Sequence, residues 1–289
     1  MSKTKVKSGY VAVVGRPNVG KSTLVNYLVG EKVSIVTSKP QTTQINVLGI
    51  VNYDNTQIVL IDTPGLLSDN TKKLNLKKLN KEASLALSMA DLVVMLVEVN
   101  QWKKADQYLL ENIEQTGLKK ILAVNKVDRF KDKTKILDYL ASTNERSTFE
   151  EIIPLSALRG KNINNLLVSI EKYLPFQEPE FDTNAKTDKD ISFRIAESMR
   201  EKLMSCLREE LPYSLTCEVD SLNEKKGTVF IEISICVKKS AHRKIIIGKK
   251  GHILKKVGTE TRLEIENMLK KKVFLSSQVR VNEKMIISN

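Results

Sequence analysis

Near the start of the chain, Gly15-Arg16-Pro17-Asn18-Val19-Gly20-Lys21-Ser22 has the spacing G-x-x-x-x-G-K-[ST], between an apolar run and a helix-forming segment. That context is what a phosphate-cradling loop requires. Its glycines let backbone N–H groups converge on phosphate oxygens, and the helix that follows adds the positive end of its dipole. Lys21 is expected to pair with the β- and γ-phosphates and Ser22 to offer its hydroxyl to magnesium, with Thr23 counted among the nucleotide-binding residues. Asp62-Thr63-Pro64-Gly65 ends a later apolar run. Alone it reads as a turn, but after a phosphate loop its carboxylate can organise magnesium through water and the Gly65 N–H can approach the γ-phosphate. Asn125-Lys126-Val127-Asp128 ends a further apolar run, ILAVNKVD. A carboxylate there accepts both the ring N–H and the exocyclic amine of guanine, a donor pair that adenine lacks, so Asp128 predicts guanine specificity. Asn125 and Lys126 would brace the loop and cover the base, and Ser156-Ala157 would support the guanine carbonyl.

Between these groups lies the polar segment Lys39-Pro40-Gln41-Thr42-Thr43-Gln44. One of its threonines is expected to reach magnesium when the γ-phosphate is present and to let go after hydrolysis, an order–disorder switch. Thr43 is favoured, with Thr42 left open. Far downstream, Ile247-Gly248-Lys249-Lys250-Gly251-His252-Ile253 has the form I-G-x-x-G between two expected helices. Such a loop clamps about four nucleotides of single-stranded backbone, its glycines allowing close approach and its lysines meeting phosphate. Lys244, Ile247, Gly248, Lys249, Lys250, Gly251, His252 and Lys255 are the residues expected to touch RNA.

The elements that must position these residues follow from periodicity. Strands are expected at Tyr10–Val14, Asn46–Asn52, Gln57–Ile61, Leu92–Val97, Lys120–Val124 and Glu151–Pro154, and helices at Lys21–Val29, Asn75–Ser88, Lys104–Glu114, Lys133–Ala141 and Ile163–Tyr173. This alternation predicts a doubly wound α/β sheet over residues 1–174, with an antiparallel hairpin turning at Tyr53-Asp54-Asn55-Thr56. Residues 175–190, with two prolines, five acidic residues and little apolar content, read as a linker. From 191 to 289 the order is α-β-β-α-α-β: a helix at Ile191–Arg208, strands near Tyr213–Ser221 and at Thr228–Val237, two helices flanking the G-x-x-G loop, and a strand at Val273–Val281.

Composition agrees. A chain of 289 residues, 41% hydrophobic, buries a sizeable core and suits two domains. No stretch approaches the roughly 20 apolar residues that span a bilayer, so a soluble, cytoplasmic, monomeric protein is expected. The odd trio Cys206, Cys217 and Cys236 lacks metal-ligand spacing and reads as thiols without assigned chemistry. Of the net charge of +13, residues 191–289 carry +8, with 20 Lys+Arg against 12 Asp+Glu. Lys238 to Lys256 holds eight basic residues and no acidic one, a polyanion footprint. Such a stretch also admits peripheral association with the inner face of an anionic membrane. Trp102 reads as a packing anchor, His242 and His252 as surface or phosphate-touching histidines, and Lys270-Lys271-Lys272 as cations suited to a helix end.

GRPNVGKSTL, PQTT, DTPG, NKVD, SALRG and IIGKKGHILKKVG together resemble the bacterial Era GTPases, which join a GTPase domain to a C-terminal type II KH domain. The resemblance implies a GTP-hydrolysing switch, with magnesium as cofactor, that binds near the 3′ end of small-subunit ribosomal RNA and assists small-subunit assembly. Two positions depart from wider GTPase patterns and one segment departs from the family itself. Leu66 stands where Ras-like GTPases have a water-orienting glutamine, so slow intrinsic hydrolysis is expected. Leu158 replaces the lysine of the S-A-K motif, and Phe274 to Val281 lacks the L-W-V-K-V tryptophan. Related GTPases also imply that Asn18 could hold a potassium ion that helps Lys21, Thr43 and Gly65 in catalysis. Two other classes compete with the switch: an RNA-binding scaffold that binds nucleotide but hardly turns it over, and a membrane-associated or RNA-modifying GTPase.

Overall fold

The computed structural model describes residues 6–40, 42–65, 74–130 and 132–282. Leu66 and Gln41 lie outside this set. The chain forms two compact units, one of residues up to Ser34 together with Thr43–Asp188, the other of Ile35–Thr42 together with the residues from Lys189 onward.

In the first unit, β1 (Lys7–Gly15) runs into α1 (Lys21–Val29), followed by β2 (Val47–Tyr53), β3 (Thr56–Asp62), α2 (Leu74–Met89), β4 (Leu92–Glu98), α3 (Lys104–Glu114), β5 (Lys119–Asn125), α4 (Lys133–Asn144), β6 (Glu151–Pro154) and α5 (Ile163–Tyr173). The six strands lie in the order β2-β3-β1-β4-β5-β6, parallel except for β2, which pairs antiparallel with β3 through a two-residue turn at Asp54-Asn55. Because both faces are covered, β1 reads as an unbroken apolar run. Val11 and Val13 face the cluster that includes Leu24, Val25, Leu166 and Ile170, while Ala12 and Val14 face the one that includes Ala83, Leu109, Leu110 and Ile113. Strand order reverses on either side of β1, so the loop after β1 opens into the crevice at the carboxyl ends of the strands, where ligands bind in open α/β sheets.

Residues 175–188, expected as a linker, group with this unit. They are tied to its edge by backbone and side-chain bonds. The Ile50 N–H donates to the Lys186 carbonyl at 2.9 Å, Gln57 Nε2 donates to the Phe181 carbonyl at 2.8 Å, and the Tyr10 hydroxyl donates to Glu180 at 2.5 Å. The apolar poverty that marks a linker also suits an extended strap, which is held by hydrogen bonds and needs no core of its own.

The second unit contains α6 (Ile191–Cys206), β7 (Leu215–Lys225), β8 (Thr228–Val237), α7 (Ser240–Ile247), α8 (His252–Leu269) and β9 (Lys272–Val281). Its sheet runs β7-β8-β9, with β8 antiparallel to β7 and parallel to β9. Alternate β8 residues Val229, Ile231, Ile233, Ile235 and Val237 are buried and form one core with Ile195, Met199 and Leu203 of α6 and Val257 and Ile265 of α8. The first two strands differ from expectation in one respect: β7 runs four residues past Ser221, as far as Lys225, because β8 supplies ladder partners up to the Lys226-Gly227 turn. The segment 35–42 is held to α6. Glu201 accepts the Val36 N–H at 2.9 Å, and Arg200, buried and paired with Glu197 at 2.6 Å, donates to the Thr42 carbonyl at 2.7 Å. The three cysteines are free, and burial pushes the Cys217 thiol well above its usual range, as an inert thiol requires.

Candidate nucleotide and nucleic-acid sites

The loop after β1 wraps around Lys21, whose ammonium donates to the carbonyls of Gly15 at 3.0 Å and Arg16 at 3.2 Å. Gly20 has φ +107, and a Cβ there would lie 2.4 Å from Asn125 Nδ2, so only glycine lets the Asn125 side chain close on the loop. Asn125 then donates to the Val19 carbonyl at 2.8 Å and accepts from the N–H groups of Lys126 at 2.7 Å and Ala157 at 2.9 Å. One side chain thus ties the phosphate loop, the end of β5 and the segment after β6 together. Pro17 sits against Gly65, where a Cβ would come within 2.6 Å of the Pro17 nitrogen, and Thr63 is anchored to the Val13 carbonyl at 2.8 Å. Pro64 follows in the same described loop, and Thr23 sits in the first turn of α1.

Ser22, Thr43 and Asp62 converge. The Ser22 hydroxyl donates to Asp62 Oδ2 at 2.7 Å and lies 3.2 Å from Thr43 Oγ1. Thr42 instead points its hydroxyl to the Lys39 carbonyl at 2.8 Å and to Thr37 at 2.7 Å. Asp62 is fully buried, its Oδ1 has no partner among the described residues, and burial raises its pKa against the opposing Ser22 hydroxyl and Lys21 ammonium. A buried carboxylate oxygen without a donor, beside two hydroxyls, fits a hard divalent cation and its water.

Burial lowers the Lys21 pKa to about 8, with Asp62 opposing the shift and Arg16 adding to it. A phosphate oxyanion would raise it again. Below about pH 8 the free site already carries the proton, and above it nucleotide binding must take one up. GDP affinity should therefore be nearly flat up to about pH 7, be about twofold lower at pH 8 and fall about a further fivefold between pH 8 and 9. Calorimetry in two buffers of different ionisation enthalpy checks this, and pH-independent affinity without proton uptake would contradict it.

At the other end of the crevice, Lys126 bridges the Asn18 carbonyl at 2.7 Å and Glu98 at 2.7 Å, and Glu98 also pairs with Arg129 at 3.0 Å. Asp128 Oδ1 accepts the Ser156 hydroxyl at 2.5 Å, which leaves its second oxygen for a base. Ser156 is buried, whereas Leu158 is 70% exposed and takes no part in this arrangement.

Two residues here escaped the sequence reading. Glu98 ends β4 directly opposite Asn125 in the ladder, and an acidic residue closing an apolar strand was the available signal. Asp106 is fully buried in α3, where it accepts the Lys103 N–H at 2.9 Å and the single Nε–H of Arg16, shared between its two oxygens at 2.6 and 2.7 Å; Arg16 also donates to the Gln101 carbonyl at 2.9 Å. The pair anchors the phosphate loop from behind. Asp106→Ala leaves a buried guanidinium unpaired and should cost about 3–5 kcal/mol in denaturant unfolding.

In the second unit, α7 ends at Gly248, whose N–H donates to the Lys244 carbonyl at 3.0 Å, and the Gly251 N–H closes the turn on the Gly248 carbonyl at 3.1 Å. Positive φ at Gly248, Lys250 and Gly251 folds the loop back so that Lys249, Lys250 and His252 are exposed at the start of α8, with Lys244 and Lys255 exposed on the flanking helices and Ile247 half-buried. The helix N-terminus adds its dipole to this cationic edge.

A phosphate loop with its lysine, a carboxylate–hydroxyl cluster and an N-K-x-D at the carboxyl ends of a doubly wound sheet define a P-loop GTPase domain, here followed by an α+β KH domain of type II topology. Comparison with known proteins agrees. The family described as 50S ribosome-binding GTPase matches residues 10–126, and the KH domain family matches residues 210–286. GTPase Era of Pseudomonas fluorescens is 41% identical over 278 residues, 96% of this chain and 92% of that protein; GTPase Era of Xanthomonas axonopodis is 41% identical over 277 residues, with the same coverages. A crystal structure of Era with MgGDPNP and nucleotides 1506–1542 of 16S ribosomal RNA superposes with a TM-score of 0.91 at 35% identity, covering 96% of this chain and 95% of that one; a variant of Aquifex aeolicus Era bound to GDP and AlF4− gives the same figures. The chain belongs to the Era family of GTPases.

Proposed function

We propose that the chain is a guanine-nucleotide switch that engages the 3′ end of small-subunit ribosomal RNA through its KH loop and assists assembly of the small ribosomal subunit. The observation that carries this reading is the co-occurrence, in one chain, of the Lys21–Asp62–Asp128 crevice and the exposed Gly248–Gly251 loop. The relative crystallised with a magnesium-bound GTP analogue and 16S RNA nucleotides holds both kinds of ligand together.

In this reading Gly15 to Thr23 hold the phosphates, Ser22 and Thr43 ligate magnesium, and Asp62 orients the metal's water. Asn125, Lys126, Asp128, Ser156 and Ala157 hold guanine. When bound, the metal would supply neutralisation of the phosphate charge. Lys21 stabilises the developing charge and Gly65 offers its N–H to the γ-phosphate. Asn18 is the proposed potassium ligand. Loss of the γ-phosphate frees Thr43. Because residues 35–42 are tied to Arg200 and Glu201 of α6, that release reaches the RNA-binding unit. The proposed location is cytoplasmic; among the described residues no helix is long and apolar enough to cross a membrane.

Multiple-turnover phosphate release, measured in potassium and in sodium buffers with and without RNA, tests the reading. Turnover faster in potassium and altered by RNA is expected. A bound nucleotide that is not hydrolysed under any of these conditions would instead favour the scaffold.

A further inference from the structure

The sheet of the second unit has two faces. One is buried against α6 and α8, and the other bears Phe230 of β8 and Phe274 of β9, partners in the ladder, with ring centroids 5.7 Å apart and tilted by 42°. Phe230 is 39% and Phe274 58% exposed, although they touch each other. They are two of only three exposed phenylalanines among the described residues, so this is where the chain concentrates uncovered aromatic surface.

The residues around the pair are arranged in rows. In the ladder, Lys225, Thr228 and Lys272 are opposite one another, as are Asn223, Phe230 and Phe274, and then Ser221, Glu232 and Ser276. Because side chains two residues apart share a face, these are three successive rows on the open face, about 6.6 Å apart. A basic row thus borders an aromatic row, which borders a row of hydrogen-bonding groups. Lys226, in the turn, extends the basic edge, and Lys271 beside it is paired with Glu224 at 2.7 Å. Lys225, Lys226 and Lys272 are exposed and in no ion pair among the described residues.

We propose that this open sheet face is a second RNA-binding surface, which takes single-stranded nucleotides beyond those clamped by the Gly248–Gly251 loop. Bases stack on Phe230 and Phe274, the phosphates meet Lys225, Lys226 and Lys272, and Asn223, Ser221, Ser276 and Glu232 face the base edges. Paired aromatics on neighbouring strands of an open sheet are a known way to hold two bases. The carboxylate of Glu232 can accept from an exocyclic amine, and it disfavours an anionic bilayer as the occupant. The G-x-x-G loop lies in the helical layer, between α7 and α8, so the two surfaces are separate. The inference rests on the RNA-binding reading of the KH loop.

The test uses the full chain and two fluorescent single-stranded RNAs, a five-nucleotide one and a fifteen-nucleotide one containing it. The fifteen-nucleotide RNA should bind the wild type at least tenfold more tightly. Phe230→Leu with Phe274→Leu, which keeps an apolar cross-strand pair, should lower that affinity at least about tenfold, since stacking on an aromatic side chain is worth about five- to 150-fold per base, and should leave the five-nucleotide RNA unaffected. Lys225→Glu with Lys272→Glu, which leaves the core untouched, should do the same. Equal binding of the two RNAs by the wild type, or wild-type affinity in both variants, overturns the proposal. So does a leucine variant whose only defect is loss of binding to phosphatidylglycerol vesicles or of self-association. Failure of the wild type to bind the five-nucleotide RNA would instead sink the reading of the KH loop.

Discussion

Asp128→Asn should lower affinity for GTP and GDP on the order of a thousandfold and transfer preference to the xanthine nucleotides. The Asp128 carboxylate accepts the Ser156 hydroxyl through one oxygen and keeps acceptor sites for the ring N–H and exocyclic amine of guanine in the proposed reading. Each hydrogen bond to a charged group contributes roughly 1.5–3 kcal/mol, and losing both partners spans two to four decades. The asparagine amide turns a donor toward those donors, whereas the 2-carbonyl of xanthine accepts from it. The substitution is nearly isosteric and the position lies in a surface turn after β5, so the fold should persist. Calorimetric titration with GDP and XDP reads the result directly; GDP affinity within a few-fold of wild type would remove Asp128 from the base site.

The second large effect belongs to the other unit. Lys249→Asp with Lys250→Asp should weaken binding of a five-nucleotide single-stranded RNA by on the order of a hundredfold. It should also reduce the slope of log affinity against log salt by about 1.4, since each phosphate contact to a single strand contributes about 0.7. Both lysines are exposed and neither belongs to the core cluster of the second unit, so GDP affinity and the unfolding midpoint should not move. Fluorescence anisotropy across a salt series separates the effect from misfolding. An unchanged slope would mean that these cations face solvent and not RNA.

Much of this architecture was legible in the sequence because the signals were local and periodic. Lys21–Val29, Lys104–Glu114, Ile163–Tyr173 and Thr228–Val237 form as the apolar spacing dictates. The nucleotide crevice was legible because its chemistry is confined to short motifs at strand ends, where fold topology gathers them. Less legible were contacts between residues distant in sequence and carrying ordinary types. Nothing near Asp106 announces that it will be buried 90 positions from Arg16, and its place at the third position of a helix suggests only a cap. The segment 175–188 shows the same limit, since a backbone strap along β2 leaves no hydrophobic period to detect. The choice between Thr42 and Thr43 was also out of reach. Adjacent identical side chains point apart only once the backbone is fixed, here by Arg200 holding the Thr42 carbonyl while Thr43 turns toward Ser22. The Phe230–Phe274 pair was hidden for the same reason, because each lies in its own strand pattern and only register sets them side by side.

The central claim is that the nucleotide crevice governs RNA engagement. The most direct measurement is the affinity of the full chain for single-stranded RNA from the 3′ end of small-subunit ribosomal RNA, with magnesium present, in a non-hydrolysable GTP analogue and again in GDP. A coupled switch of ordinary strength changes affinity by about five- to 150-fold between the two states. The structure leads us to expect a difference in that range, with Thr43→Ala collapsing the two values onto the GDP one. Identical affinities in both nucleotides, with the wild-type KH loop binding RNA normally, would contradict the account and leave a GTPase and an RNA-binding domain that merely share a chain.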